Sequence, residues 1–233
     1  MGSHPPIRLG VSVSEASFTI HPAPPLALSR IVSAMQDVVT PHLCDNLQRM
    51  SGIVGLQRFH RERKLVGTAY TVKARPGDNL LIYRALMDLQ PGHVLVIDGA
   101  GNEDNALVGE LIMLYAIERG CAGLVIDGAI RDSAAFHAAD FPCYARGVTH
   151  RGPYKLGPGA INVPVSIGGQ VVSPGDLVVG DEDGVVTFPQ ADAERLLTAV
   201  AATVAKEDAI KAEILTGRVE QSWLSTTLSA HGL

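Results

Sequence analysis

The sequence predicts an α/β fold, with parallel β-α-β units at the centre, an antiparallel β section after them and a long helix near the C-terminus. Three observations carry this. First, Val94-Leu-Val-Ile-Asp-Gly-Ala100 and Gly123-Leu-Val-Ile-Asp-Gly-Ala129 nearly repeat each other. Each is a β-branched apolar run ending in Asp-Gly, the pattern of a buried strand that stops at a tight turn. Second, the segment between them carries apolar residues at 111, 114, 115 and 117 and ends in Gly120, which fits a helix with a left-handed stop. Strand, helix and strand in that order imply parallel pairing and a right-handed crossover. Third, residues 161–188 are short β-branched runs separated by Gly168-Gly169, Pro174-Gly175 and Asp183-Gly184, the pattern of antiparallel strands.

Taken in order, Met1-Gly-Ser-His4 resembles a tag remnant and is set aside. Residues 5–25 are rich in Pro and Ser and read as a flexible arm or a strap on a neighbouring subunit, so the expected division is an arm over 1–25, one domain over 26–217 and a tail over 218–233. Leu28, Ile31, Val32 and Met35 give 26–39 helical spacing. Thr40-Pro41 then starts a short helix through Leu47, with Thr40 as N-cap and Pro41 at N1. His42 and Asp45 on it could be metal or acid/base groups, and a surface helix position explains them more simply. Residues 65–74 alternate as a strand, Arg75-Pro-Gly-Asp-Asn79 is a turn, and 79–89 is a helix. Asp78 and Asn79 read as turn and cap residues. After 123–129 comes a crossover over 133–140 and a third strand at 141–145. The loop 146–159 carries His150, Arg151, Tyr154 and Lys155, and long loops in compact domains often serve function. It reads equally as a distal substrate contact or a solvated subunit contact. Residues 190–216 form an Ala-rich helix, and the tail with Trp223 docks on the body or on a partner.

The bulk properties bound the class. With 233 residues, 46% of them hydrophobic, the chain can bury one sizeable α/β core. Lys and Arg number 19 against 24 Asp and Glu, a net charge of −5, which argues against a nucleic-acid surface. No apolar stretch is long enough for a membrane helix. Cys44, Cys121 and Cys143 show no metal-type spacing, and so sparse and odd a set suggests a reduced, cytoplasmic protein.

The chemistry follows from the β-α-β reading. Ligands of such sheets sit outside the carboxyl ends of the strands, so Glu110, Arg131 and Asp132 can meet at one rim. The first turn of the 109–119 helix points free backbone N–H groups there, a seat for a carboxylate. Arg131 adds a planar fork for a carboxylate or an enolate oxygen. Asp132 and Glu110 are hard oxygen donors suited to Mg²⁺ or Mn²⁺. A 2-oxo acid needs such an anion seat beside a metal seat. Taken singly, each residue has a plainer reading: Glu110 favours the helix dipole, Arg131-Asp132 is a surface ion pair, and Asp98 and Asp127 are turn devices. Their convergence favours function.

At these residues a family resemblance appears. Glu110, twenty residues, then Arg131-Asp132 resembles the acidic-x20-Arg-Asp signature of the RraA-like superfamily. Val66–Val72, Pro76–Asn79, Pro91–Val96, Gly109–Ile112, Val172–Leu177 and Gly180–Val185 resemble further family blocks in order, over roughly residues 29–217. The block at 41–46 departs from the family pattern. The resemblance implies an RraA-like single domain of swivelling β/β/α type. It implies a class II pyruvate aldolase of the 4-hydroxy-4-methyl-2-oxoglutarate / 4-carboxy-4-hydroxy-2-oxoadipate branch, with oxaloacetate decarboxylase activity and a divalent cation, Mg²⁺ or Mn²⁺. Asp132 would bind the metal and Glu110 would act through water. Gly109, Glu110, Leu111, Ile112 and Arg131 would bind substrate, and Arg131 and Glu110 would carry catalysis. Glu207, in the block Lys206–Lys211, matches a family glutamate that reaches a neighbour's metal through water, which implies a homotrimer or homohexamer. A plain Glu207–Lys211 pair at i, i+4 is the simpler reading.

Other chemistries fare worse. The three central strands hold no Lys for a Schiff base, and there is no G-x-G-x-x-G, Walker loop or G-x-S-x-G. The rival is a non-catalytic regulator that binds a ribonuclease or another protein. In the superfamily that branch typically lacks the Arg-Asp pair, which this sequence keeps.

Overall fold

The computed structural model describes residues 18–218 and 221–233. Most of the expected arm, 1–17, lies outside the described residues. In chain order the elements are β1 (Phe18–Ile20), α1 (Ser29–Met35), α2 (Thr40–Asp45), β2 (Gln57–Arg58), β3 (Leu65–Ala74), α3 (Leu80–Asp88), β4 (His93–Val108), α4 (Glu110–Glu118), β5 (Gly123–Ile130), α5 (Ser133–Ala139), β6 (Cys143–Val148), β7 (Gly159–Ile161), β8 (Val165–Ile167), β9 (Gln170–Val172), β10 (Leu177–Gly180), β11 (Val185–Phe188), α6 (Ala193–Leu215) and α7 (Ser222–Ala230).

Strands β3, β4, β5 and β6 are adjacent and parallel, and each step between them passes through one of α3, α4 and α5. Alternation along the strands sorts the core into two faces, because successive side chains point to opposite sides. Leu95, Ile97, Leu124 and Ile126 join Ile82, Leu86, Ile112, Met113 and Phe136 on the helical face. Val94, Val96 and Val125 pack instead against the β section through Ile167, Val172, Val178 and Val185. On that section's outer side, Leu177, Val179, Val186 and Phe188 meet α1, α2 and α6 through Ile31, Met35, Leu43 and Leu196. The resulting layers are helix, sheet, β section and helix, with β10 antiparallel to both β3 and β11. Helix α4 ends as its sequence suggests. Gly120 takes φ 71°, and Cys121 N donates to Ala116 O while Gly120 N donates to Ile117 O, both at 2.9 Å, a Schellman end.

Two local expectations are corrected. Neither Asp-Gly ends its strand. The ladder of β4 with β5 continues past Asp98↔Asp127 to Val108↔Ile130, with register shifts between Asp98 and Asn102, between Asn102 and Ala106, and between Ala106 and Val108. These are β-bulges, which absorb extra residues and bend the strand. The glycines serve close approach: a Cβ on Gly99 would lie 2.5 Å from Leu107 Cδ1, and one on Gly128 would lie 2.9 Å from it. The second correction concerns Thr40, which is the first helical residue of α2 rather than its cap. The cap comes from Asp181, whose carboxylate accepts Thr40 N and Thr40 Oγ1, each at 2.6 Å. The three strands read as central, β4, β5 and β6, carry no Lys. Strand β3 belongs to the central parallel set and carries Lys73, in register with Asp98. It lines a separate hollow with Arg75, Asp98 and Ala100.

The described part of the N-terminal segment is bonded to its own chain. His21 N donates to Ile161 O at 3.1 Å, Asn162 Nδ2 to Pro22 O at 3.0 Å, and Ala27 N to Thr68 Oγ1 at 2.9 Å. Trp223 of α7 is half exposed and lines a hollow with Asn46, Thr203 and Ile210. No described helix is long and apolar enough to cross a membrane.

Buried His93 reports on this packing. Its Nδ1 accepts Gln90 N at 2.9 Å and its Nε2 lies 3.2 Å from Pro24 O. Burial holds its pKa below the ordinary 6.5, against the opposing pull of the Pro24 carbonyl. The unfolded chain therefore binds the proton first, and stability falls as pH drops below about 6.5. Calorimetric melting between pH 8 and pH 5 should show Tm falling with pH, and His93→Gln should reduce the slope. An unchanged slope in the variant would remove His93 from the account.

Candidate active site

The rim forms where β4 and β5 hand over to their helices. Val108 leads through Gly109 into α4, and Ile130 leads through Arg131 and Asp132 into α5. Asp132 sits in the left-handed region at φ 56°, a conformation that Asp tolerates better than most residues. Its Oδ2 accepts Glu110 N at 3.0 Å, and Arg131 Nε lies 3.6 Å from the same oxygen. The carboxylate of one strand thus caps the helix that follows its neighbour, at the helix's positive end. Gly109 makes this possible, since a Cβ there would lie 2.5 Å from Asp132 Oδ2 and 2.9 Å from Arg131 Cγ.

The first-turn N–H groups of a helix lack intrahelical partners. Here Asp132 takes that of Glu110, and Met113 N donates to Gly109 O at 3.1 Å. Those of Leu111 and Ile112 have no backbone partner among the described residues. Both residues line a cleft with Gly109, Arg131, Asn79, Tyr83, Pro153 and Lys155, holding about 40 Å³ of space, enough for a small acid group. Arg131 is half exposed, so its fork can turn to an anion.

The far wall is the loop after β6. Ala106 N donates to Arg151 O at 2.9 Å, Asn79 N to Tyr154 O at 3.0 Å and Tyr154 N to Gly77 O at 2.8 Å. Asp78 Oδ2 accepts Leu156 N at 2.6 Å and Gly157 N at 3.1 Å, while its Oδ1 accepts Leu80 N at 3.0 Å. Asp78 is therefore both turn and clamp. Asn79 is not a side-chain cap. It is buried, and its Nδ2 donates to Leu107 O at 3.0 Å. Of the loop's four candidates only Lys155 lines the cleft, with Nζ 5.7 Å from the centre of the Tyr83 ring. Tyr83, one turn into α3, is the wall residue that sequence reasoning missed, since a tyrosine at helical spacing reads as core.

The expected metal donors divide. Glu110 and Asp132 share the rim, and among the described residues no cluster of three His, Cys, Asp or Glu could hold an ion. Two carboxylates fit Mg²⁺ or Mn²⁺, which keep several waters and take substrate oxygens, and do not make a closed protein cage. With Oδ2 engaged by Glu110 N, Asp132 Oδ1 is the oxygen left over. Glu207 does not line the cleft. It sits on α6, where its Oε2 lies 3.0 Å from His42 Nε2 and 3.8 Å from Lys211 Nζ. Asp45 pairs with Arg49 at 3.0 Å. Asp98 Oδ1 accepts Ala100 N at 2.9 Å, and buried Asp127 is paired with Arg146 at 2.5 Å, so both are structural.

A family profile described as RraA-like, Aldolase/RraA, matches residues 40–187, and that span includes every part of the cleft. The chain belongs to the RraA-like family. A Halalkalibacterium halodurans protein named "Putative 4-hydroxy-4-methyl-2-oxoglutarate aldolase" is 38% identical over 167 residues, 71% of this chain and 80% of that protein. Among solved structures, an uncharacterized Pseudomonas syringae protein aligns with TM-score 0.74 and 27% identity over 82% of this chain and 90% of its own. The RNA-processing inhibitor RraA from Thermus thermophilis aligns with TM-score 0.61 and 29% identity over 66% of this chain and 93% of its own.

Gly109→Ala should displace Asp132 and Arg131 together. Steady-state kinetics should show kcat/KM down by about a hundredfold, with a stability loss of about 1–3 kcal/mol. Full activity in the variant would show that the close contact is dispensable.

Proposed function

We propose that this RraA-like chain is a divalent-metal-dependent pyruvate aldolase. It cleaves 4-hydroxy-2-oxo acids of the 4-hydroxy-4-methyl-2-oxoglutarate type and decarboxylates oxaloacetate on the same site. The observation that carries this reading is the meeting of Arg131 and the α4 N-terminus in one cleft, with Asp132 bonded to the first residue of that helix although it does not line the cleft. The name of the Halalkalibacterium relative supports it.

The substrate carboxylate would lie on the N–H groups of Leu111 and Ile112. Arg131 would face the C2 oxygen. In cleavage the C3–C4 bond breaks and its electron pair becomes the C2–C3 double bond of an enolate. The charge collects on the C2 oxygen, beside the guanidinium. The C4 hydroxyl becomes a carbonyl as its proton passes to water held by Glu110. Protonation at C3 then yields pyruvate. Loss of carbon dioxide from oxaloacetate forms the same enolate and needs no hydroxyl proton acceptor. Asp132, with Glu110 through water, would hold Mg²⁺ or Mn²⁺, which supplies Lewis-acid polarisation of the 2-oxo group.

Arg131→Ala should cost about 3 kcal/mol or more of transition-state stabilisation, by analogy with loss of one oxyanion donor. Arg131→Lys should not restore it, for lack of the planar fork. Lactate-dehydrogenase-coupled pyruvate release measures both, and near-native kcat in Arg131→Ala would sink the assignment. EDTA should abolish activity, and Mg²⁺ or Mn²⁺ should restore it. Because Lys155 lines the cleft, the informative contrary result is full activity in EDTA together with inactivation by borohydride plus pyruvate, the mark of a Schiff base.

The site is proposed to be shared within a homotrimer or homohexamer, with Glu207 of a neighbouring copy reaching the ion through water. The outward side of α4 supports a subunit contact beside the rim, since Leu111 is 71%, Leu114 47% and Tyr115 50% exposed, more apolar surface than an isolated helix face usually shows. Mixing inactive Asp132→Ala and Glu207→Ala subunits should regain part of the activity, and a fully active monomer in sedimentation would rule sharing out. The likeness to the Thermus inhibitor keeps a second reading, a ribonuclease-binding regulator. A chain with no pyruvate release from any 4-hydroxy-2-oxo acid, yet tight ribonuclease binding, would establish it.

A further inference from the structure

A residue in the wall of the cleft carries a polar atom that nothing among the described residues satisfies. Asn79 is 2% exposed and lines the cleft beside Arg131 and Gly109. Its Oδ1 is buried with no hydrogen-bond partner among the described residues. The amide cannot be turned to relieve this. Its nitrogen donates to Leu107 O at 3.0 Å, and a carbonyl only accepts, so the nitrogen must stay there and the oxygen must face away. Its own backbone fixes the residue as well, through Asn79 N to Tyr154 O at 3.0 Å and Tyr83 N to Asn79 O at 3.3 Å. A buried acceptor left unpaired costs roughly 1–3 kcal/mol, so a ligand that brings a donor gains by pairing it.

The partner must be a donor. Carboxylate and keto oxygens only accept, and Arg131 and Lys155, the cations of the cleft, only donate. They suit the ionised and keto parts of a 2-oxo acid and leave Asn79 Oδ1 unanswered. In a fully ionised 4-hydroxy-2-oxo acid the hydroxyl on C4 is the only donor. We propose that Asn79 is the specificity-determining residue of the cleft, its Oδ1 accepting the C4 hydroxyl of the substrate as it binds, before that proton turns to the water held by Glu110 for cleavage. The proposal rests on the aldolase reading and deepens it. Oxaloacetate in its keto form brings no such donor, so it fills the cleft with the acceptor still unpaired. A site built to bond a hydroxyl discriminates against an analogue that lacks it far more strongly than an apolar pocket does.

The test uses the full chain with Mg²⁺ and compares 4-hydroxy-4-methyl-2-oxoglutarate with oxaloacetate by coupled pyruvate release. In Asn79→Ala the ratio of kcat/KM for the hydroxy acid to that for oxaloacetate should fall at least about thirtyfold, as expected for loss of a hydroxyl-reading contact. Parallel loss on both substrates would make Asn79 structural and overturn the proposal. A second measurement needs no variant. 2-Oxoglutarate, which lacks the 4-hydroxyl, should compete on the wild-type chain at least about tenfold more weakly than 4-hydroxy-2-oxoglutarate binds, for the same reason, and equal affinity overturns the proposal. Failure of the wild-type chain to release pyruvate from either substrate would sink the aldolase reading itself, and the Asn79 role with it.

Discussion

The candidate site depends on one close contact, the Asp132 carboxylate lying on the backbone N–H of Glu110 across the bare Cα of Gly109. It joins two consecutive strand-to-helix turns and settles three things together. It fixes the start of α4, it turns Asp132 into the left-handed conformation from which α5 departs, and it brings Arg131 beside the N–H groups of Leu111 and Ile112. Under the proposed reading, the helix N–H groups would receive an anion without induced closure, because the sheet beneath holds them, and the half-exposed Arg131 would turn to meet it.

The sheet can hold them because β4 does not stop where its apolar run stops. The bulges past Asp98 carry the strand on to Val108, and Leu107 folds back over Gly99 and Gly128. The buried carboxylate of Asp127 lies under this excursion, neutralised by Arg146. A buried carboxylate without such a partner would be strongly destabilising, so Arg146 supports the floor of the site without facing the cleft. Asp78 does the equivalent work on the far side, binding the loop from β6 to the start of α3. The adjacent Asn79 is buried and held through Leu107 O and Tyr154 O.

Legibility followed the range of the interaction. Strands, helices and the helix stop at Gly120 depend on spacing and on residues a few positions apart, and these were readable to within a few residues. The convergence of Glu110 and Arg131-Asp132 was readable too, because parallel strands must release their loops at the same edge. The roles of the glycines were not. Gly99 and Gly128 look like turn residues in sequence, yet they are required by a leucine several residues or a whole strand away. Asp181 as the cap of Thr40 is separated from it by 141 positions, beyond the reach of any local pattern. The same holds for Asn79, whose partner carbonyl belongs to another element.

By itself the sequence determined the α/β class, the parallel β-α-β centre, the antiparallel section and the rim residues, since periodicity and strand polarity are local properties that constrain topology. Only the tertiary structure decided which of those residues share a wall. It brought in Tyr83, Pro153 and Lys155, kept Asp98 and Asp127 structural, engaged Glu207 with His42 within its own chain, and left the Asn79 Oδ1 without a partner among the described residues. Those outcomes depend on side chains from distant elements competing for the same space and the same hydrogen bonds, and that competition is settled only when the layers pack.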